Sequence, residues 1–152
     1  MKILVDADSC PKPARELVLR TAKKRELRAI FAANRLIPGV RESGGEMLLC
    51  PEKQGAADDR ILLLAEPGDL ALTRDIPLAS RLVAASILVI DDRGSVYTPE
   101  NIRERLGMRN FTVDLAENGI LIERIPSYGK KELKAFADSL DRIITRLLRK
   151  SS

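Results

Sequence analysis

MKILVDADSC, residues 1–10, is an apolar run that stops at two carboxylates two positions apart. Ile3, Leu4 and Val5 carry the signal of a short buried strand, and Asp6 and Asp8 stand where that strand leaves a core. Pro11 suits the first turn of a helix, where a missing N–H costs little. In an open parallel sheet the ligand crevice lies beyond the carboxyl ends of the strands, so acids at the end of a first strand point toward a site. Asp also ends strands and caps helices with no ligand present, and for Asp6 and Asp8 taken alone both explanations stand.

Downstream the pattern repeats. Residues 14–24 place Leu17, Val18, Thr21 and Ala22 at helical spacing and close on Lys23, Lys24 and Arg25, which suit the negative end of the helix dipole. Residues 27–33 read as a second strand, with Asn34 at its carboxyl end, followed by a Pro- and Gly-bearing loop to Gly45. Asn34 is a candidate ligand contact there, although turn-forming Asn is common. Residues 46–50 read as a third strand and 56–66 as an apolar helix stopped by Pro67 and Gly68. That helix opens on Asp58 and Asp59. Asp58 shares a face with Leu62 and Ala65, which makes it the inward candidate, while both acids also suit a helix N-terminus without any site.

Residues 69–73 read as a fourth strand ending at Thr73, Arg74 and Asp75, before a helix over 77–85. Asp75 is thus a second strand-end acid. Asp69 lies at the other end of that strand, roughly 20 Å away at about 3.3 Å per extended residue, and is excluded from the site. Residues 87–90 read as a fifth strand, and Asp91-Asp92-Arg93-Gly94 as a turn at its carboxyl end. Thr98-Pro99-Glu100 opens a further helix with a cap and a first-turn proline, and Arg103, Arg105 and Arg109 lie on it. Residues 120–125 read as a short extra strand or an extended stretch. A terminal helix over about 130–150 carries Leu133, Phe136, Ala137, Leu140, Ile144 and Leu147 as one apolar stripe, expected to pack on the domain. Lys130, Lys131 and Lys134 at its start form the best basic cluster for phosphate contact.

Alternating strands and helices over 1–152 imply a single three-layer α/β domain with a doubly wound, mostly parallel sheet, for which 3-2-1-4-5 is a compatible strand order. A chain of this length buries about 68–70% of its unfolded surface without a staple. The two cysteines are too few for a disulfide scaffold, and the absence of histidine removes Ser-His-Asp, Cys-His and His-ligated zinc chemistry. Cys10, at a helix start, is a rival nucleophile, but nearby acids raise its pKa and no His base exists, so a packed cysteine is the better reading. No stretch reaches membrane-span length and no signal segment follows Met1, so a cytoplasmic location is expected. A net charge of +4 is compatible with a polyanionic partner. Aromatic residues make up 3% of the chain, with no Trp, so a base-stacking platform for single strands is not expected.

In that strand order strands one and four are neighbours, which gathers Asp6, Asp8 and Asp75 at one crevice, with Asp58 and the Asp91-Asp92 turn approaching from its sides. Carboxylates that close do not all stay ionised without cations, and oxygen-only ligands select Mg²⁺ or Mn²⁺. Two such ions about 3.5–4 Å apart polarise a phosphodiester and activate water, taking over the work of the missing histidine.

Taken together, Val5-Asp6-Ala7-Asp8-Ser9-Cys10-Pro11, Ala56-Ala57-Asp58-Asp59, the run from Gly68 to Ala79, Arg93 to Thr98 and Met108-Arg109 resemble the bacterial YaiI/YqxD family over nearly the whole chain. That family in turn resembles PIN-like domains, whose metal-dependent nucleases place acids at the ends of the first and fourth strands. The resemblance implies a Mg²⁺- or Mn²⁺-dependent nuclease acting on RNA ahead of DNA. Asp6, Asp8, Asp58 and Asp75 are its implied metal-binding and catalytic residues, with Asp59, Asp91 and Asp92 as secondary metal candidates. Asn34, Thr73, Arg74, Arg109, Lys130 and Lys131 are the candidate substrate-positioning residues. Two positions depart from the pattern: Ser9 stands where the family usually has Ala, and Gly55 where a further Asp is expected. Two alternatives remain open. Asp6-x-Asp8 with Asp91-Asp92 imitates a haloacid-dehalogenase-like phosphatase, although Cys10 replaces the usual Thr or Val. A non-catalytic PIN-like domain binding nucleic acid or protein is the other.

Overall fold

The computed structural model describes residues 1–119 and 127–151. Around β1 (Lys2–Asp6) the chain places β2 (Arg28–Ala33) and β3 (Glu46–Leu49) on one side, and β4 (Leu70–Leu72), β5 (Leu88–Ile90) and β6 (Val96–Tyr97) on the other. The sheet order is β3-β2-β1-β4-β5-β6, parallel except for the antiparallel β5–β6 pair. The expected order 3-2-1-4-5 is present and β6 extends it. The extra strand expected at 120–125 falls outside the described residues.

The helices are α1 (Lys12–Arg25), α2 (Ala56–Leu64), α3 (Ile76–Ala84), α4 (Pro99–Glu117) and α5 (Lys130–Ser151). Side chains alternate across a strand, and a sheet covered on both faces is apolar on both. Ile3 and Val5 of β1 accordingly join Phe31, Leu70, Leu72 and Ile90 in a core closed by Val18 of α1 and by Phe136, Leu140 and Ile144 of α5. Leu4 points the other way, into a core with Ile30, Ala71, Val89, Ile61 of α2, Leu78 and Leu82 of α3 and Ile102 of α4. The α5 stripe packs on the sheet, with Leu133 and Leu147 at its margins.

Two junctions aim the strand ends. The β1–β4 register pairs Val5 with Leu72, so the next residues, Asp6 and Thr73, emerge side by side. At the far end, Asp69 takes the Lys2 N–H at 3.0 Å, the Lys2 Nζ at 2.7 Å and the Glu66 N–H at 2.9 Å, which keeps it away from the carboxyl edge. Thr98 caps α4 as expected, reciprocally with Asn101, and Glu100 lies in the first turn. No helix among the described residues is long and apolar enough to cross a membrane.

Candidate functional site

Asp6 ends β1 at 7% exposure. Its Oδ2 accepts the Thr73 hydroxyl at 2.8 Å and the Ser9 hydroxyl at 3.1 Å. Thr73 Oγ1 in turn accepts the Asp75 N–H at 2.9 Å, so one buried hydroxyl ties the ends of β1 and β4. Burial pushes the Asp6 carboxyl above its ordinary pKa, the Thr73 and Ser9 hydroxyls pull it down, and Asp75 and Asp8 push it up again. Asp75 caps α3, its Oδ1 accepting the Leu78 N–H at 3.0 Å. Asp58 rises from α2, its pKa pushed up to about 6 by burial first, then by Asp75 and Asp6, with Arg81 opposing. Asp6, Asp8, Asn34, Asp58, Arg74 and Asp75 all line one cavity of about 540 Å³.

The remaining candidates lie elsewhere. Asp59 is turned outward against Arg81 at 3.3 Å, as the helix-face argument requires. Thr73 is 2% exposed and does not line the cavity; its hydroxyl serves Asp6 and Asp75 instead of a substrate. Asp91 and Asp92 line a neighbouring cavity of about 910 Å³, together with Arg109. Asp91 Oδ1 accepts the Arg93 and Ser95 N–H groups, both at 2.9 Å, which builds the β5–β6 turn. Asp92 accepts from Arg74 Nε. The pairing of Asp6 with an acidic turn after the fifth strand, on which the haloacid-dehalogenase likeness rests, therefore spans two cavities here. Lys130 and Lys131 are exposed at the start of α5 and line neither cavity.

Several supports escaped the sequence analysis. Ser9 was noted only as a departure, yet a hydroxyl three residues beyond an acid at a tight corner is a local signal for the bond it makes. Glu52 and Lys53 of the loop before α2 line the acid cavity. Tyr97 donates to the Thr73 carbonyl at 3.3 Å and Tyr128 to the Asp92 carbonyl at 2.6 Å, contacts with no local signal because both depend on the tertiary fold. Gly55, where a further acid was expected, holds φ +81°, a left-handed conformation that favours glycine. Burial and then Asp92 push the Cys10 thiol up to about 12, which favours the protonated form over the thiolate.

Residues 4–146 match the family described as "Uncharacterized BCR, YaiI/YqxD family". The chain belongs to the YaiI/YqxD family. It is 47% identical over 149 residues to a UPF0178 protein of Syntrophobacter fumaroxidans, covering 96% of this chain and 95% of the relative. Identity is 48% with a UPF0178 protein of Treponema pallidum, covering 98% and 84%, and 38% with one of Pseudomonas fluorescens, covering 99% and 100%. No solved structure matches.

The YaiI/YqxD cavity offers carboxylate oxygens, the donors a hard divalent cation prefers. Among the described residues no group of three or more such side chains is spaced to close on one ion. Asp6 Oδ2 and Asp75 Oδ1 are engaged by the hydrogen bonds above, which leaves one oxygen on each outside those bonds. An all-protein cage is thereby excluded among the described residues; the donor set, one unengaged carboxylate oxygen on each of two acids, is of the kind that holds Mg²⁺ with water completing its shell.

Proposed function

We propose that the acid cavity is a Mg²⁺- or Mn²⁺-dependent phosphodiesterase site acting on polynucleotide, RNA ahead of DNA, in the cytoplasm. The supporting observation is that buried Asp6, capping Asp75 and Asp58 share one cavity, where the Asp75 charge raises the cost of ionising both Asp6 and Asp58, so that a cation gains where the acids alone lose. The preference for RNA rests on the PIN-like resemblance. Asp6 and Asp75 are the residues that would hold the ion, with Asp8 and Asp58 lining the same cavity. Bound there, it supplies Lewis-acid polarisation of a phosphoryl oxygen and acidifies water. Thr73 and Ser9 keep the Asp6 carboxylate oriented, and Arg74 offers the phosphate a planar guanidinium.

The test is cleavage of a labelled single-stranded RNA with Mn²⁺, with and without EDTA. Asp75→Asn is the informative variant, because Asn still caps α3. The expected result is EDTA-sensitive cleavage that falls more than about 100-fold in Asp6→Asn and Asp75→Asn, beyond what loss of an outer-shell partner usually costs. Unchanged cleavage in either variant overturns the assignment.

A further inference from the structure

The two cavities at the carboxyl edge of the sheet meet at one side chain, Arg74, which lines both. Their charges are opposite. The first sets Asp6, Asp8, Glu52, Asp58 and Asp75 against Lys53 and Arg74. The second gathers Arg74, Arg93, Arg105 and Arg109 against three acids, two of which are committed inside the protein. Asp92 is 2% exposed and fixes Arg74 through Nε, while its carbonyl is held by Tyr128. Asp91 gives Oδ1 to the turn and has Arg105 at 4.0 Å from Oδ2.

The second cavity is also partly apolar. Arg105 lies over the Tyr97 ring at 4.4 Å, and Ile76, Met108 and Val113 complete the wall. Guanidinium groups pair with phosphate oxygens in a planar fork, and their faces stack on unpaired bases. A double helix presents its phosphates with its bases already stacked, whereas a single strand uses both properties of this wall.

We propose that the arginine cavity is the binding track for a single-stranded polynucleotide, which passes over Arg74 into the acid cavity. This deepens the phosphodiesterase assignment and rests on it for the chemistry at the acid end. Arg74, with Nε held by Asp92, keeps its terminal nitrogens for the phosphate at the junction. Arg105 and Arg109 contact the backbone further along the strand. The preferred substrate is therefore an oligonucleotide extending beyond the reacting phosphate, not a mononucleotide.

Binding is read by fluorescence anisotropy in EDTA, so that no turnover is needed, with a labelled oligouridylate of about 12 nucleotides, within the usual span of single-strand sites. Uridine monophosphate and polyglutamate serve as competitors. Arg109→Gln is the deciding variant because Arg109 is exposed and its removal spares the fold. The expected result is a roughly three- to tenfold weaker affinity in Arg109→Gln and Arg105→Gln, with the salt slope reduced by about 0.7 for each. Arg103→Gln, exposed on the same helix but outside the cavity lining, binds as the unmodified protein does. The track is overturned if Arg109→Gln matches Arg103→Gln, or if polyglutamate or the mononucleotide competes as well as the oligomer. Arginine-dependent binding without cleavage in Mn²⁺ overturns only the phosphodiesterase assignment, and cleavage indifferent to Arg109 overturns only the track.

Discussion

Thr73 shows how much a single hydroxyl carries: it donates to Asp6 and accepts from the Asp75 N–H while 2% exposed. Thr73→Val keeps the shape, strands the Asp75 N–H and leaves Asp6 Oδ2 with the Ser9 hydroxyl alone, which costs about 1–3 kcal/mol in chemical denaturation, and Thr73→Ser restores most of it. Asp58 gives the pH test. Its folded pKa of about 6 lies above the ordinary 3.8, so as pH rises through this interval the unfolded chain releases a proton that the folded chain keeps. Stability therefore falls across that window, and the penalty is complete above it. In EDTA, Asp58→Asn is expected to be the more stable form near neutrality, by about 1 kcal/mol after allowance for solvent screening. That gain vanishes below the ordinary carboxylate pKa, and thermal melts across this range check both limbs. The acids themselves were legible as residues because strand-end position follows from topology. The hydroxyl work of Thr73 was not, since a Thr before a strand-end acid reads equally as a substrate contact.

At the scale of elements, the β5–β6 turn is where α5 locks onto the sheet. Gly94 holds φ +86°, and the Ser139 hydroxyl donates to its carbonyl at 2.7 Å. A Cβ at Gly94 meets Ser139 Cβ at 2.7 Å and the Ala135 carbonyl oxygen at 2.8 Å, and the second of these is backbone that does not swing aside. Gly94→Ala thus combines left-handed strain with a clash and costs about 2–3 kcal/mol. Ser139→Ala loses one bond and costs about 1 kcal/mol, and a urea series on both variants orders the two. The five parallel strands and their helices were readable because most of their apolar periods end on Gly, Pro, Asn or a charged residue. The two-residue β6 was not, since Val96-Tyr97 is too short to show any period and forms only because the Asp91 turn folds it back on β5. The same turn took Asp91 and Asp92 out of the acid cavity, which no local signal at that strand end distinguishes from a ligand position.

For the whole molecule, the chain carries a net charge of +4 yet gathers five acids into one cavity and four arginines into the next. Such a division costs stability when the cavity is empty of counter-ions, and a ligand that binds only the folded state returns it. With Mn²⁺ at 100 times its dissociation constant the gain is about 2.7 kcal/mol, or roughly 5–10 °C in melting temperature for a chain of this length. Differential scanning fluorimetry against a Mn²⁺ series measures the shift directly. Asp6→Asn and Asp75→Asn should lose most of it, while Asp59→Asn should keep it because Asp59 faces Arg81 at the surface. A melting temperature that ignores Mn²⁺ in the unmodified protein means that the cavity holds no such ion, and the proposed hydrolysis then has no cofactor.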